Sequence, residues 1–318
     1  MADCYDLFQE FHDKIGLSSS KKKFLKQARN ALREKIKNHF RKEREEESPK
    51  FWNQGSYVMS TIVNPLDDEY DIDDGVYLQN IDKDDEKWPS PETVHNWICR
   101  ATEGHTDKNP VDKRTCVRVI YSGQYHVDLP IYGEYKDKYY LAEKGEKGWH
   151  LSDPKDLTNW FRNQVKKKGE QSKRIVRYLK AWADHKSKNG KLPSGLILTV
   201  LVMENYESKE RDDVSFGRII RNIYKSIVDS FVVYNPVDSQ EDLAERLTDL
   251  QKKTFKNLLS NLLDSASKAL KEDNKREACK IWRREFGDRF PSCDLIKEKK
   301  GPLYTSSPAI LKDDARSA

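Results

Sequence analysis

From Gln54 to Leu78 the chain reads QGSYVMSTIVNPLDDEYDIDDGVYL, and at its centre Tyr70-Asp71-Ile72-Asp73 alternates apolar and acidic residues. A β-strand has a period of two, so Asp71 and Asp73 share one face while Tyr70 and Ile72 share the other. The constraint is severe, because two carboxylates held side by side repel, and each raises the pKa of the other unless a cation lies between them. Hard divalent cations with oxygen ligands, Mg²⁺ first, answer that demand. An Asp-x-Asp by itself is also what a solvated strand edge looks like in a chain that is 35% charged, and the pair alone does not separate the two readings. Upstream, Gly55-Ser56 reads as a turn whose close backbone approach offers free N–H groups and a hydroxyl, an arrangement suited to a phosphate. Asp74 alternates to the opposite face and is not expected among the ligands. Asp67, Asp68 and Glu69 read as a solvated loop before the strand.

Two metals need a third carboxylate, and Asp128 offers it within HVDLPIYG. It lies between β-forming residues on a strand ending at Pro130, a position that a purely structural strand would spend on packing. A Gly-Ser turn, Asp-x-Asp on a strand and a single Asp on a later strand, taken in that order, is the layout of the DNA polymerase β-like nucleotidyltransferases.

QGSY, YDIDDGVY, HVDLPIY, RIVRYLKAWADH and LPSGLILTVL together resemble the bacterial cGAS/DncV-like nucleotidyltransferases (CD-NTases), relatives of oligoadenylate synthase that make cyclic oligonucleotide second messengers in anti-phage defence. The resemblance covers residues 5 to 295 or so. It implies an α+β protein: a polymerase β-like lobe of mixed sheet and helices (residues 1–156, with a long N-terminal spine helix bridging to the second lobe), an α-helical lobe (157–297) and a flexible tail (298–318). It also implies a cytoplasmic enzyme that joins nucleoside triphosphates, ATP and GTP foremost, into a cyclic di- or trinucleotide with release of pyrophosphate. Two Mg²⁺ ions, or Mn²⁺ in their place, would be held by Asp71, Asp73 and Asp128. Gly55 and Ser56 would hold the β and γ phosphates, Lys180 would add a point charge to them, and Ser194 falls where the family places base or sugar contacts. From spacing alone Lys180 is a snorkelling lysine at the border of an apolar arc, and Ser194 is a helix cap. The implied partners are the triphosphates, a downstream effector that the product activates, and a ubiquitin-transfer-like enzyme joining the C-terminus at Ala318 to a target.

With 58 Lys and Arg but a net charge of only +5, the 318-residue chain can carry basic patches for a polyphosphate without the strongly basic balance of a nucleic-acid protein. No stable nucleic-acid partner is expected. The five cysteines (Cys4, Cys99, Cys116, Cys279, Cys293) are odd in number, widely spread and free of any CxxC pair, which argues against a disulfide framework or a zinc site and fits a reducing cytoplasm. No signal peptide or apolar run of membrane-spanning length is present, so no membrane partner is expected.

Helical spacing predicts a short helix over 5–15 and a long one from the Ser18–Ser20 cap to about Glu47, with Phe24, Leu25, Ala28, Leu32, Ile36 and Phe40 as its stripe. Strands are expected near 69–81, 115–122 and 124–131, with a helix from Ser90-Pro91 between the first two. Trp149 to Asp153 reads as a loop, and Pro154 opens the helical half. Ile175, Val176, Leu179, Trp182 and Ala183 form one arc there, and LILTVLVMENY is too apolar to face water. Asp212-Asp213 reads as a helix start. A long helix after Asp242 is expected to bury Leu243, Leu247, Leu250, Leu258 and Leu262, and Gly287 is expected to stop the last helix. Tyr57 and Tyr132 are among the aromatics able to stack a base.

The alternatives are a linear oligonucleotide synthase or an RNA or protein nucleotidyltransferase of the same superfamily, and, from another class, an inactive nucleotide-sensing scaffold. The intact carboxylate set argues against the last, since a chain released from catalysis has no need of a repulsive cluster.

Overall fold

Two apolar cores organise the chain, and its N-terminal segment is divided between them. The computed structural model describes residues 1–66, 70–79, 81, 87–122 and 125–296. Asp67, Asp68, Glu69 and the tail from 298 to Ala318, with what was expected of them, lie outside the described residues. Helix α1 (Tyr5–Ile15) buries Leu7, Phe8, Phe11 and Ile15 in the core of the helical half. Helix α2 (Ser19–Glu43) is capped by Ser18, whose hydroxyl accepts from the Lys21 N–H. Its stripe of Leu25, Ala28, Leu32, Ile36 and Phe40 packs with the sheet residues Ile72, Val76 and Val127. The bridging expected of one spine helix is thus shared by two consecutive helices, one in each core. Phe24, expected on the stripe, is exposed, because a turn of about 100° per residue leaves room for only one of Phe24 and Leu25 on that line.

Strand β1 (Lys50–Gln54) runs into the single turn α3 (Gly55–Val58), and β2 (Tyr70–Tyr77) follows. Next comes α4 (Pro91–Thr102), which starts on a Ser90 cap as expected. The strands β3 (Val111–Asp112), β4 (Val117–Tyr121), β5 (Tyr125–Leu129), β6 (Ile131–Tyr135), β7 (Lys138–Glu143) and β8 (Gly148–Leu151) complete a mixed sheet. β2 is its axis. β1 pairs with it antiparallel, and β5 and then β6 pair with it in parallel at one constant register, Tyr70 opposite Tyr125 and Val76 opposite Ile131. Pro130 lies between β5 and β6, and its carbonyl accepts the Val76 N–H. The loop expected from Trp149 is instead strand as far as Leu151, paired with β7. None of its four residues is buried, so no core-facing position marks it in the sequence.

Asp153 caps α5 (Pro154–Lys168) by accepting from the Lys155 and Asp156 N–H groups. Helices α6 (Gln171–Lys186), α7 (Gly195–Glu204) and α8 (Asp212–Ile227) follow, and α7 is buried almost throughout. Asp212 does more than start a helix. Its buried carboxylate accepts from Arg174, Gln171, Gln9 and Tyr178, tying α1, α6 and α8 together. A hairpin of β9 (Tyr234–Asn235) and β10 (Asp238–Asp242) occupies what was expected to be the approach to a long helix. That helix, α9 (Asp249–Lys271), starts later, at a Thr248/Gln251 capping box. Leu250 is consequently exposed, and Phe255, Leu259 and Leu262 carry the buried stripe. Helix α10 (Lys275–Phe286) ends at Gly287, which has φ +70°. The chain then turns back far enough to join Cys279 to Cys293 in a single disulfide, although the odd and scattered cysteines had argued against a disulfide framework. Among the described residues no helix is long and apolar enough to cross a membrane.

Candidate active site

Alternation along β2 does what its sequence demands: Tyr70 and Ile72 are buried in the core under α2, and Asp71 and Asp73 point away from it. Asp74, on the core side with Ile72, is fully buried and takes a two-pronged ion pair from Arg33 of α2, Nε to Oδ2 at 2.7 Å. The parallel β2/β5 register then sets Asp73 beside Asp128 and Asp71 beside His126, a two-by-two array on one face. Arg118 on β4 donates to both oxygens of Asp128 at 2.7 Å each. His126 Nε2 is 3.9 Å from Asp71 Oδ2, too far for a hydrogen bond.

The turn after β1 closes over this array. Gly55 has φ +69°, and a Cβ built on it would overlap the Asp73 carboxylate. Only glycine lets the backbone come this close. The Thr61 N–H returns to the Ser56 carbonyl at 2.9 Å. The buried Thr61 side chain accepts from Lys180 Nζ of α6 at 3.0 Å. Gly195 at the start of α7 leaves space for that lysine, since a Cβ there would lie 3.3 Å from Lys180 Cε.

A cleft of about 640 Å³ results, lined by Gly55, Ser56, Asp71, Asp73 and Lys180 with apolar walls such as Ile62 and Leu196. Asp128 stands behind Asp73, beside it in the sheet. Ser194 is exposed and caps α7 by accepting from the Ile197 N–H at 3.4 Å, while its neighbours Pro193 and Gly195 line the cleft. Tyr132, named as able to stack a base, is not free to do so. It is buried against Tyr77 at 4.8 Å and its hydroxyl accepts from Gln54. Tyr57 is half-buried against the sheet core.

The electrostatics are those of a cluster short of positive charge. Burial, and then the charges of Asp71 and Asp128, hold the Asp73 carboxyl well above its usual range, with Arg118 opposing. Burial lowers His126. Burial, joined by Arg177, pushes the Lys180 ammonium down to about 8 against the pull of Asp71 and Asp73. One ligand atom each from Asp71, His126 and Asp128 lies within 4.8 Å of the others. Carboxylates this crowded, with one imidazole nitrogen among them, fit a divalent cation.

Thr61, Arg118 and His126 were not singled out by the sequence. The signal for His126 was present, since the period that pairs Asp71 with Asp73 also pairs His126 with Asp128. Arg118 carried none, because its place beside Asp128 depends on antiparallel cross-strand register.

A carboxylate cluster on a mixed sheet, roofed by a Gly-Ser turn and faced by a lysine from a helical lobe, places the protein in the class of polymerase β-like nucleotidyltransferases. Residues 49–132 match the family described as cyclic GMP-AMP synthase DncV-like, nucleotidyltransferase domain, and residues 169–299 match the cyclic GMP-AMP synthase C-terminal domain. The chain belongs to the bacterial cGAS/DncV-like nucleotidyltransferases. A cyclic GMP-AMP synthase of Escherichia albertii is 33% identical over 203 residues, 60% of this chain and 44% of the relative, so that match spans less than half of the relative's length. A second, from Vibrio cholerae, is 25% identical over 82% of this chain and 72% of the relative, and a cyclic AMP-AMP-AMP synthase of Acinetobacter is 24% identical over 88% and 83%. The crystal structure of Vibrio cholerae DncV cyclic AMP-GMP synthase with nonhydrolyzable GTP superposes with a TM-score of 0.78 at 19% identity, covering 92% of this chain and 98% of that one.

Proposed function

We propose that the protein joins nucleoside triphosphates, ATP and GTP first, into a cyclic di- or trinucleotide and releases pyrophosphate. The observation that carries this is the β2/β5 register, which sets Asp73 beside Asp128 directly under the Gly55 turn. Relatives named as synthases of cyclic GMP-AMP, cyclic AMP-AMP-AMP and c-di-GMP support a cyclic product.

Asp71, Asp73 and Asp128 would hold two divalent cations, Mg²⁺ or Mn²⁺, whose chemistry when bound is to activate the attacking ribose hydroxyl and neutralise the leaving pyrophosphate. The protein's own groups do the positioning. Backbone N–H groups at Gly55 and the Ser56 hydroxyl donate to the β and γ phosphates. Lys180, already drawn toward the carboxylate side of the cleft, adds a charge to the same phosphates. Asp128, fixed by its two bonds from Arg118, orients the acceptor hydroxyl. Ser194 marks the edge where a base or sugar would lie. A ribose hydroxyl gives its proton to the carboxylate cluster or to solvent, its oxygen bonds to the α-phosphorus as the bond to pyrophosphate breaks, and a second transfer in the same cleft closes the ring.

This reading extends to cytoplasmic anti-phage signalling through an effector that the product activates, and to conjugation through Ala318 by a ubiquitin-transfer-like enzyme. Incubation of the protein with the four ribonucleoside triphosphates and Mg²⁺ or Mn²⁺, followed by mass spectrometry, tests the core of it. Cyclic products with the mass of two or three nucleotide monophosphate units are expected. Linear chains only would support the oligonucleotide synthase alternative, and no turnover with intact triphosphate binding would support the sensing scaffold.

A further inference from the structure

Asp71 and His126 are direct neighbours across β2 and β5, as Asp73 and Asp128 are one step further along. His126 therefore projects to the carboxylate face, on the same strand as Asp128 and two residues before it. Its Nε2 atom is buried and, among the described residues, has no hydrogen-bond partner. The nearest carboxylate oxygen, Asp71 Oδ2, stays at 3.9 Å, while the ligand atoms of Asp71, His126 and Asp128 lie within 4.8 Å of one another. A buried imidazole nitrogen aimed between two carboxylates and bonded to neither has the placement of a ligand.

We propose that His126 Nε2 is a direct ligand in this site and biases one of its cation positions toward Mn²⁺ over Mg²⁺. The inference rests on the metal-dependent reading given above. Its physical basis is donor chemistry: Mg²⁺ takes oxygen ligands almost exclusively and gives up its waters reluctantly, whereas imidazole suits the later divalent metals. A cluster built from carboxylates alone would not discriminate in this way.

The test is electron paramagnetic resonance of Mn²⁺ added to the metal-free full chain without nucleotide. Electron spin echo modulation from a directly bonded ¹⁴N is expected in the wild type, converting to the ¹⁵N pattern in ¹⁵N-labelled protein. His126→Gln, which offers an oxygen in place of the nitrogen, should lose that modulation, and its preference for Mn²⁺ over Mg²⁺ should fall by about tenfold or more. Mn²⁺ bound to the wild type with no nitrogen modulation overturns the role of His126 and leaves the carboxylate site standing. An unchanged preference in His126→Gln overturns the selectivity. No Mn²⁺ binding by the wild type, either alone or with a nonhydrolysable triphosphate present, overturns the metal-dependent reading itself, and the role of His126 with it. The wild-type spectrum decides the ligand question even if the variant folds poorly.

Discussion

Gly55 and Asp73 are fitted to each other: the first has a backbone conformation that favours glycine, and the second fills the space that any other residue's Cβ would need. Gly55→Ala is expected to lower stability by about 1–3 kcal/mol, the usual cost of forcing such a conformation, and to abolish most product formation by displacing Asp73. Thermal unfolding and initial rates measured side by side check this. Asp73 and its neighbour Asp74 should fail in opposite ways. Because the Asp73 carboxyl titrates above its usual range, the folded metal-free chain binds a proton that the unfolded chain has released, and stability falls as pH rises through that interval. Asp73→Asn removes this cost, so the metal-free protein should melt no lower at neutral pH. Its product formation should drop by more than the roughly 10²–10³-fold typical of losing one preorganised electrostatic group. Asp74→Asn takes the negative partner from Arg33 under the sheet and should cost about 1–3 kcal/mol of stability. A low melting point for Asp73→Asn with full activity would invert the assignment of the two faces. The faces themselves were legible because a strict period of two needs no knowledge of the partner strand. The Arg33–Asp74 pair was not, since nothing local says which helix covers the strand.

Among the elements, those with a strong period or a cap were the legible ones: α1, α4, α6 and α10 lie where their apolar spacing and stop signals put them. β9 and β10 were hidden because DSQED, the whole of β10, contains no apolar residue, and β8 because none of its residues is buried and no core face marks it. The start of α9 was misplaced because Leu243 and Leu247 are buried from a turn and continue the helix's spacing by coincidence. Helix α1 carries a second pH dependence, of opposite sign to that of Asp73. His12 Nε2 accepts from Arg177 Nη1 at 3.1 Å, and Arg177 in turn donates from Nε to the Ser60 carbonyl, so α1, α6 and the loop after α3 meet there. Burial, followed by the charges of Arg177 and Arg174, lowers the His12 pKa from 6.5 to about 4. The folded chain therefore keeps His12 neutral where the unfolded chain would protonate it. That contribution is whole above pH 6.5 and is lost as pH falls toward 4. His12→Gln keeps an acceptor for Arg177 and does not titrate. Plotted against pH, the melting difference between wild type and His12→Gln should be flat above 6.5 and move against the wild type between 6.5 and 4. A difference flat across the whole range would mean that His12 is not held neutral.

At the scale of the whole molecule, the cleft joins groups from two apolar cores, and no local pattern in the sequence could show how the cores face each other. Lys180 of α6, in the helical core, reaches across to Thr61 beside the Gly-Ser turn, one residue beyond the Ser60 carbonyl that Arg177 holds. Its ammonium, pushed down to about 8 by burial, is held charged at neutral pH at a cost while no nucleotide is bound. A triphosphate in the cleft would reverse that sign. Lys180→Met, which keeps the apolar stem, should therefore leave the melting temperature of the ligand-free protein unchanged or raise it, while KM for nucleotide rises by about tenfold or more. The wild type should gain about 2.7 kcal/mol of stability from a nonhydrolysable triphosphate at a hundred times its Kd. At the same nucleotide and metal concentrations Lys180→Met should lose most of that gain, yet retain the shift produced by metal alone, because the carboxylates are untouched. If instead the variant unfolds many degrees lower while its KM is unchanged, Lys180 is a packing residue whose charge happens to face the cleft, and the phosphates must find their cation elsewhere.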